Sequence, residues 1–137
     1  MKVQLDSFDA IDNFDELSLE HWKDFNTRLP AFNKEVLRKL YVITARNKEN
    51  KVVGYLFFMV FNSPYYGDQC CQVDMFYLQK MYRKQGIGKQ MFQLLEQVAK
   101  ELGCKQLFSS SNLKGPLDSF YSKLGYNATH TLVAKEI

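Results

Sequence analysis

Apolar positions along the chain change their spacing several times, and each change marks an element. Residues 1–10 read as an opening strand. Asn13, with Glu16 three residues on, has the form of a capping box. Phe14, Leu17, His21, Phe25 and Leu29 then recur at helical spacing until Pro30, which stops the helix. A short second helix is predicted over residues 33–40. Two β-branched and aromatic runs, 41–45 and 52–61, flank the polar turn 47–51 and predict a hairpin. A loop at 62–68 leads to a third long strand at 69–78. Helical periodicity returns with Ile87, Met91, Leu94, Leu95, Val98 and Leu102 on one face, closed by Gly103 as a C-terminal cap. Residues 106–110 form a short strand. Pro116 opens another helix, with Leu117, Phe120, Tyr121 and Leu124 on one stripe, and residues 129–137 alternate like a final strand.

The predicted order is β-α-α-β-β-β-α-β-α-β, an α/β (α+β) pattern. The strand, helix and strand in the middle imply a parallel βαβ unit inside an otherwise antiparallel, mixed sheet with flanking helices. A length of 137 residues fits one domain, 1–137, with no repeat or linker in it. The hydrophobic share of 46% and charged share of 24% belong to a folded soluble protein. A net charge of +3 gives no reason to expect nucleic acid as a partner. Cys70, Cys71 and Cys104 are odd in number and include no CxxC pair, so neither a disulfide framework nor a metal site is expected. The opening residues lack the apolar run of a secretory leader, and no stretch is long enough for a membrane helix. The expected location is the cytoplasm, with no membrane partner.

Chemistry concentrates between Met75 and Lys89. A strand ending at Leu78 runs through a basic, Gly-containing turn straight into a helix. The unpaired N–H groups of a helix's first turn, together with the positive end of its dipole, form an anion site. Gly86 and Gly88 leave room for a phosphate oxygen to approach the backbone, and Lys80, Arg83, Lys84 and Lys89 surround the turn with positive charge. A diphosphate suits this environment. Met91 stands where a dinucleotide-binding loop needs a third glycine, and Gln90 stands where a Walker loop needs Ser or Thr. On these residues alone, a basic helix start with an incidental glycine pair remains open.

The segment Arg83-Lys84-Gln85-Gly86-Ile87-Gly88 resembles the central motif of the GNAT (GCN5-related N-acetyltransferase) superfamily: Arg or Gln, two residues, Gly, one residue, then Gly or Ala, between a strand and a long helix. Phe120-Tyr121-Ser122-Lys123-Leu124-Gly125-Tyr126 resembles a second motif of that family on its last helix, and Val53-Gly54 is a weaker third match. The resemblance covers about residues 41–127. It implies the GNAT fold, in which the strand before the loop splays from its parallel neighbour. It also implies acetyl-coenzyme A as cofactor, its pantetheine arm lying against backbone groups near Tyr77 and Leu78. The pyrophosphate would rest on the loop amides from Arg83 through Lys84, Gln85, Gly86, Ile87 and Gly88 to Lys89, with Asn112 near the cofactor. An amine would attack the thioester directly, a backbone N–H near Leu78 would steady the oxyanion, and Tyr121 would protonate the leaving thiolate.

The partner is then an amine acceptor: a small molecule, a lysine or an N-terminal amine. By strand alternation Gln72, Asp74, Phe76 and Leu78 share a face, and of these only Asp74 is ionisable. Asp74 is the candidate to take the amine's proton or to bind its ammonium. His21 and Trp22 lie on the helix that in this family walls the acceptor side, where a packed, hydrogen-bonded histidine is the commoner arrangement. A homodimer through the exposed final strand is compatible with the resemblance. The alternative function is a catalytically inactive, acyl-CoA-binding regulatory module of the same fold.

Overall fold

The computed structural model describes residues 1–24, 32–65, 67–110, 117–129, 133, 135 and 137. Strand β1, Lys2–Asp6, is shorter than the pattern predicts, because the chain leaves the sheet at Ser7 and turns through a 3-10 helix, Phe8–Ala10. Arg46 holds this corner. Its guanidinium donates to the Asp6 carboxylate at 2.9 and 3.1 Å and to the Ala10 carbonyl at 2.8 Å, while the Thr44 hydroxyl reaches Asp6 at 2.6 Å. The turn drops Phe8 and Ile11 beneath the sheet, where both are buried.

Helix α1, Phe14–Asp24, buries Phe14, Leu17, Ser18 and His21 along one stripe. The Asn13 carbonyl accepts its first helical bond from Leu17, and the Asn13 side-chain amide donates across to the Val52 carbonyl at 3.0 Å. The predicted continuation through Phe25 and Leu29 to Pro30 lies outside the described residues. Helix α2 is a single turn, Lys34–Leu37, capped by the Asn33 side chain, which accepts from the Glu35 and Val36 amides.

Strands β2 (Tyr41–Arg46), β3 (Val52–Asn62), β4 (Gln69–Leu78) and β5 (Gln106–Ser109) complete a sheet of five strands among the described residues, in the order β1-β2-β3-β4-β5. The first three pairings are antiparallel, and β4 with β5 is parallel. Helix α3, Ile87–Glu101, makes the crossover between those two, and α4 is Leu117–Lys123. The start of α4 at Pro116 and most of the predicted final strand, 129–137, lie outside the described residues. Among the described residues no helix is long and apolar enough to cross a membrane.

Each face of the sheet has its own core. On one, Ile43, Leu56, Phe58, Cys71 and Val73 pack under Ile87, Met91, Phe92 and Leu95 of α3 and Tyr121 of α4. On the other, Val42, Val52, Tyr55, Phe57 and Tyr77 pack under Phe8, Phe14 and Leu17.

Strand β4 carries a bulge. Phe58 pairs with Val73 and Phe57 with Met75, so Asp74 has no partner on β3. An extra residue reverses the alternation beyond it. Cys71 and Val73, then Phe76 and Leu78, belong to the α3 face, whereas Tyr77 and Met75 belong to the α1 face. The expectation that Gln72, Asp74, Phe76 and Leu78 share one face is therefore corrected: strict alternation fails at Asp74, and Gln72 lies on the opposite side from Phe76 and Leu78. Pairing with β5 also stops here. Its register runs from Cys70–Gln106 to Val73–Ser109, leaving residues 74–78 without a β5 partner.

Close approach of β3 to the end of β4 depends on Gly54. A Cβ there would lie 2.8 Å from Leu78 Cδ1 and 3.0 Å from the Tyr77 carbonyl oxygen. Gly54→Ala is expected to lower stability by about 1–3 kcal/mol through overpacking against backbone. An unchanged denaturant midpoint would show that the two strands can separate without cost.

Candidate active site

Where β4 ends, the chain is pinned before it turns. The Gln79 amide donates to the Val53 carbonyl at 3.0 Å, and a 3-10 turn, Lys80–Tyr82, follows. Lys84 and Gly86 both adopt left-handed backbone, at φ 62° and 84°. The first bond inside α3 runs from the Gln90 amide to the Gly86 carbonyl at 3.1 Å. The amides of Ile87, Gly88 and Lys89 therefore have no carbonyl behind them within the helix and stand as free donors at its start. Ile87 contributes only its amide, since its side chain is buried in the core.

The two glycines of the motif have different jobs. Gly86 takes a left-handed conformation with open space where a Cβ would stand. Gly88 does not: a Cβ there would touch Phe120 and Phe76 at 3.4 Å. Those rings stack at 5.9 Å, and Gly88 lets the start of α3 rest on them. At Gly88 the missing side chain also makes room for aromatic packing.

The four cations also divide. Arg83 turns back, its Nε donating to the Leu78 carbonyl at 2.7 Å and its Nη2 to Asp24 at 3.0 Å, with its Cζ 5.4 Å from the Tyr77 ring centroid. Asp24 also receives the Tyr77 hydroxyl at 3.1 Å and pairs with Lys80 at 3.3 Å. Partial burial works to raise the Asp24 pKa, but the bonds from Lys80, Tyr77 and Arg83 outweigh it and hold the carboxyl below its ordinary value. One residue of α1 thus staples the end of β4 to the loop, and the side chains of Tyr77 and Arg83 serve that staple. Gln85 donates to the Met81 carbonyl at 3.0 Å. Lys84 and Lys89 are exposed and make no ion pair among the described residues.

Tyr121 lies on α4. It is buried, and its ring meets those of Phe92, Phe120 and Tyr126 edge-on at 5.5, 5.7 and 5.3 Å. Its hydroxyl lies 2.6 Å from Ser109 Oγ. Ser109 is the last β5 residue paired with β4, and its register partner Val73 precedes Asp74. The phenol therefore sits where the two strands part. Burial raises its pKa, and the Ser109 bond acts in the opposite direction. Asp74 is exposed at its outer edge, while the protein around it strips enough hydration to raise its carboxyl pKa. Asn112 lies outside the described residues.

His21 is packed rather than open. Its Nδ1 lies 2.6 Å from the Tyr55 hydroxyl, and its ring stacks on Tyr77 at 4.7 Å and Trp22 at 5.0 Å. Burial, helped by the positive charge of Arg83, pushes its pKa down to about 4 against the pull of Asp24. It is neutral at physiological pH.

Residues 74–78 of β4 thus run from the point where β4 and β5 part, marked by the Tyr121–Ser109 bond, to the loop that opens α3. Two contributors were not read from the sequence. Asp24 extends the stripe Leu17–His21 by one further turn, a placement that could have marked an acid aimed at the sheet. Ser109, in a run of serines at a strand end, carried no signal of its tyrosine partner.

The sequence profile of the acetyltransferase (GNAT) family matches residues 5–126. Among solved structures, a ribosomal-protein-alanine N-acetyltransferase from Brucella melitensis biovar Abortus 2308 superposes with a TM-score of 0.77 at 19% identity, covering 100% of each chain. The aminoglycoside acetyltransferase meta-AAC0020 from an uncultured soil metagenomic sample, in complex with trehalose, gives 0.79 at 22% identity, covering 99% of this chain and 94% of the other. A Trypanosoma brucei acetyltransferase gives 0.74 at 18% identity over 99% and 100%. At these identities the likeness is one of fold. No curated protein sequence matches the chain.

The Asp24 staple makes stability depend on pH. Its folded pKa lies below the unfolded value of 3.8, so its contribution is full above that value and is lost as pH falls through the lower folded pKa. Asp24→Asn is expected to cost on the order of 1 kcal/mol at neutral pH and less in acid. Unfolding measured at pH 7 and pH 3 checks this; an equal cost at both would mean that the charge is not what holds the loop.

Proposed function

The chain belongs to the GNAT acetyltransferase family, and on that premise we propose that it is an acyltransferase that moves an acetyl group from acetyl-coenzyme A to a primary amine. The observation that carries the reading is the parting of β4 from β5: among the described residues, 74–78 of β4 have no β5 partner, with unbonded helix-start amides beyond one end and a buried tyrosine hydroxyl at the other, the Leu78 carbonyl being held by Arg83.

The residues present suit such a donor. Backbone groups of residues 74–78 that face away from β3, apart from the Leu78 carbonyl held by Arg83, can pair with the amides of an extended pantetheine arm. The side chains of Tyr77 and Leu78 are buried, so they would contribute backbone alone. The amides from Lys84 to Lys89 would hold the pyrophosphate, with the exposed ammonium groups of Lys84 and Lys89 beside it. Arg83 would act by holding the loop's shape. When bound, acetyl-coenzyme A supplies an activated thioester carbonyl.

The protein's own groups then manage protons. Asp74 would hold the acceptor's ammonium or take its proton, and a carboxyl pKa raised by desolvation brings it closer to that task. Tyr121 would give its phenolic proton to the departing sulfur; its raised pKa keeps it protonated until then. A small amine, a lysine or an N-terminal amine would fit this scheme. The structural neighbours named for ribosomal-protein alanine and for aminoglycosides add an alanine-terminated peptide and an aminoglycoside to the panel worth assaying.

The test is thiol release from acetyl-coenzyme A with such a panel, alongside calorimetric binding of coenzyme A. Tyr121→Phe is expected to lower kcat by about a hundredfold or more with unchanged cofactor affinity. Binding without turnover across the panel would favour the inactive module, and absence of binding would defeat both readings. If Asp74 acts as its carboxylate, activity falls as pH drops through its raised pKa, and Asp74→Asn removes that acid limb. An identical limb in the variant would assign the titration to another group.

A further inference from the structure

We propose that Ser109 is a positioning residue for Tyr121, its hydroxyl donating to the phenol oxygen and leaving the phenol's own O–H for the departing sulfur. This rests on the reading of Tyr121 as the acid and adds a second residue to that step.

The geometry is specific. The ring of Tyr121 is fixed by edge-on contacts with Phe92, Phe120 and Tyr126. Those contacts set the plane of the ring, but they leave the hydroxyl hydrogen free to rotate. Among the described residues its hydrogen-bond partner is Ser109, at 2.6 Å. A phenol oxygen that accepts from Ser109 still carries its own proton, and the direction of that O–H is constrained by the bond it accepts.

Ser109 is placed by the strand. It closes the β4–β5 register opposite Val73, so the same pairing that ends at the fork fixes the serine that holds the tyrosine. In the transfer step the phenol O–H bond breaks and an S–H bond forms on the departing sulfur. The phenolate oxygen left behind keeps the hydrogen bond from Ser109, which favours the charged form. It regains a proton from water, while the proton lost by the amine nitrogen leaves through the base.

Titratable groups pack in the core around Tyr121, Cys104 among them, its thiol also raised by burial. Tyr126, from the segment after α4, has its pKa raised by burial, with smaller contributions from Tyr121, Cys71 of β4 and Glu96 of α3. Burial also pushes the Cys71 thiol up to about 12. The alkaline limb is therefore assigned to Tyr121 where it coincides with that residue's own NMR titration.

The experiment compares wild type with Ser109→Ala, Ser109→Thr, Tyr121→Phe and the double variant Tyr121→Phe/Ser109→Ala. Each is assayed with acetyl-coenzyme A and an alanine-terminated peptide, an aminoglycoside or a simple diamine. The ionisation of Tyr121 is followed separately in the free protein by NMR of 13C-labelled tyrosine, its resonance identified by its loss in Tyr121→Phe. Ser109→Ala is expected to lower kcat about five- to tenfold with unchanged affinity for acetyl-coenzyme A. It should move both the alkaline limb and the Tyr121 titration to higher pH. Ser109→Thr should restore both, and Ser109→Ala should cost nothing further once Tyr121 is Phe. Turnover lost in Tyr121→Phe but unchanged in Ser109→Ala overturns the proposal alone, as does a full additional loss in the double variant. Turnover retained in Tyr121→Phe overturns the acid reading and the proposal with it.

Discussion

Strand β4 bonds to β3 along its length but holds β5 only as far as the Val73–Ser109 pair, one residue before the bulge at Asp74. Backbone N–H and C=O groups left without a strand partner must be satisfied by water or by something that binds. The bulge adds a second effect, because it turns Tyr77 toward the α1 core and Leu78 toward the α3 core. Both side chains are thereby committed to packing. What residues 74–78 offer to a ligand is mainly backbone, the part of a chain best suited to an extended, amide-containing partner.

A second constraint fixes the far end of that edge. Asp24, the last residue of α1, receives Tyr77, Arg83 and Lys80 together, and Arg83 returns to the Leu78 carbonyl. The helix expected to wall the acceptor side is thus bonded directly to the loop expected to hold the donor's diphosphate. Glu20, one turn earlier on that helix, adds a 3.0 Å bond from Gln79. Movement of α1 would therefore reach the loop through hydrogen bonds rather than through the core alone. At the near end, the phenol of Tyr121 is tied to the final paired residue of β5, so its position is set by the same register that ends the sheet.

Much of this was legible in the sequence, for identifiable reasons. Strand 69–78 was read with its ends correct, because a β-rich run is bounded by Gly67-Asp68 before it and by the basic turn after it. The apolar stripe of Ile87, Met91, Leu95 and Val98 gave α3, and the spacing of Arg83, Gly86 and Gly88 gave the family. The bulge was not legible: periodicity assumes one residue per step, and nothing local marks Asp74 as the extra one. The pairing of Arg83 with Asp24 was not legible, because charge is visible in a sequence and the geometry of a partner 59 residues earlier is not. The packing at Gly88 was hidden for the same reason, its neighbours Phe76 and Phe120 lying on β4 and α4. Ser109 was missed because a hydroxyl's role depends wholly on what faces it.

The central claim is that the open edge of β4 and the loop beyond it form one binding surface for coenzyme A. Backbone 15N chemical shifts followed during a titration with coenzyme A test it residue by residue. The largest changes are expected on the amides of residues 74–78 and 84–89, with smaller ones at Ser109 and Tyr121. Changes confined to other parts of the sheet, with those amides unmoved, would contradict it.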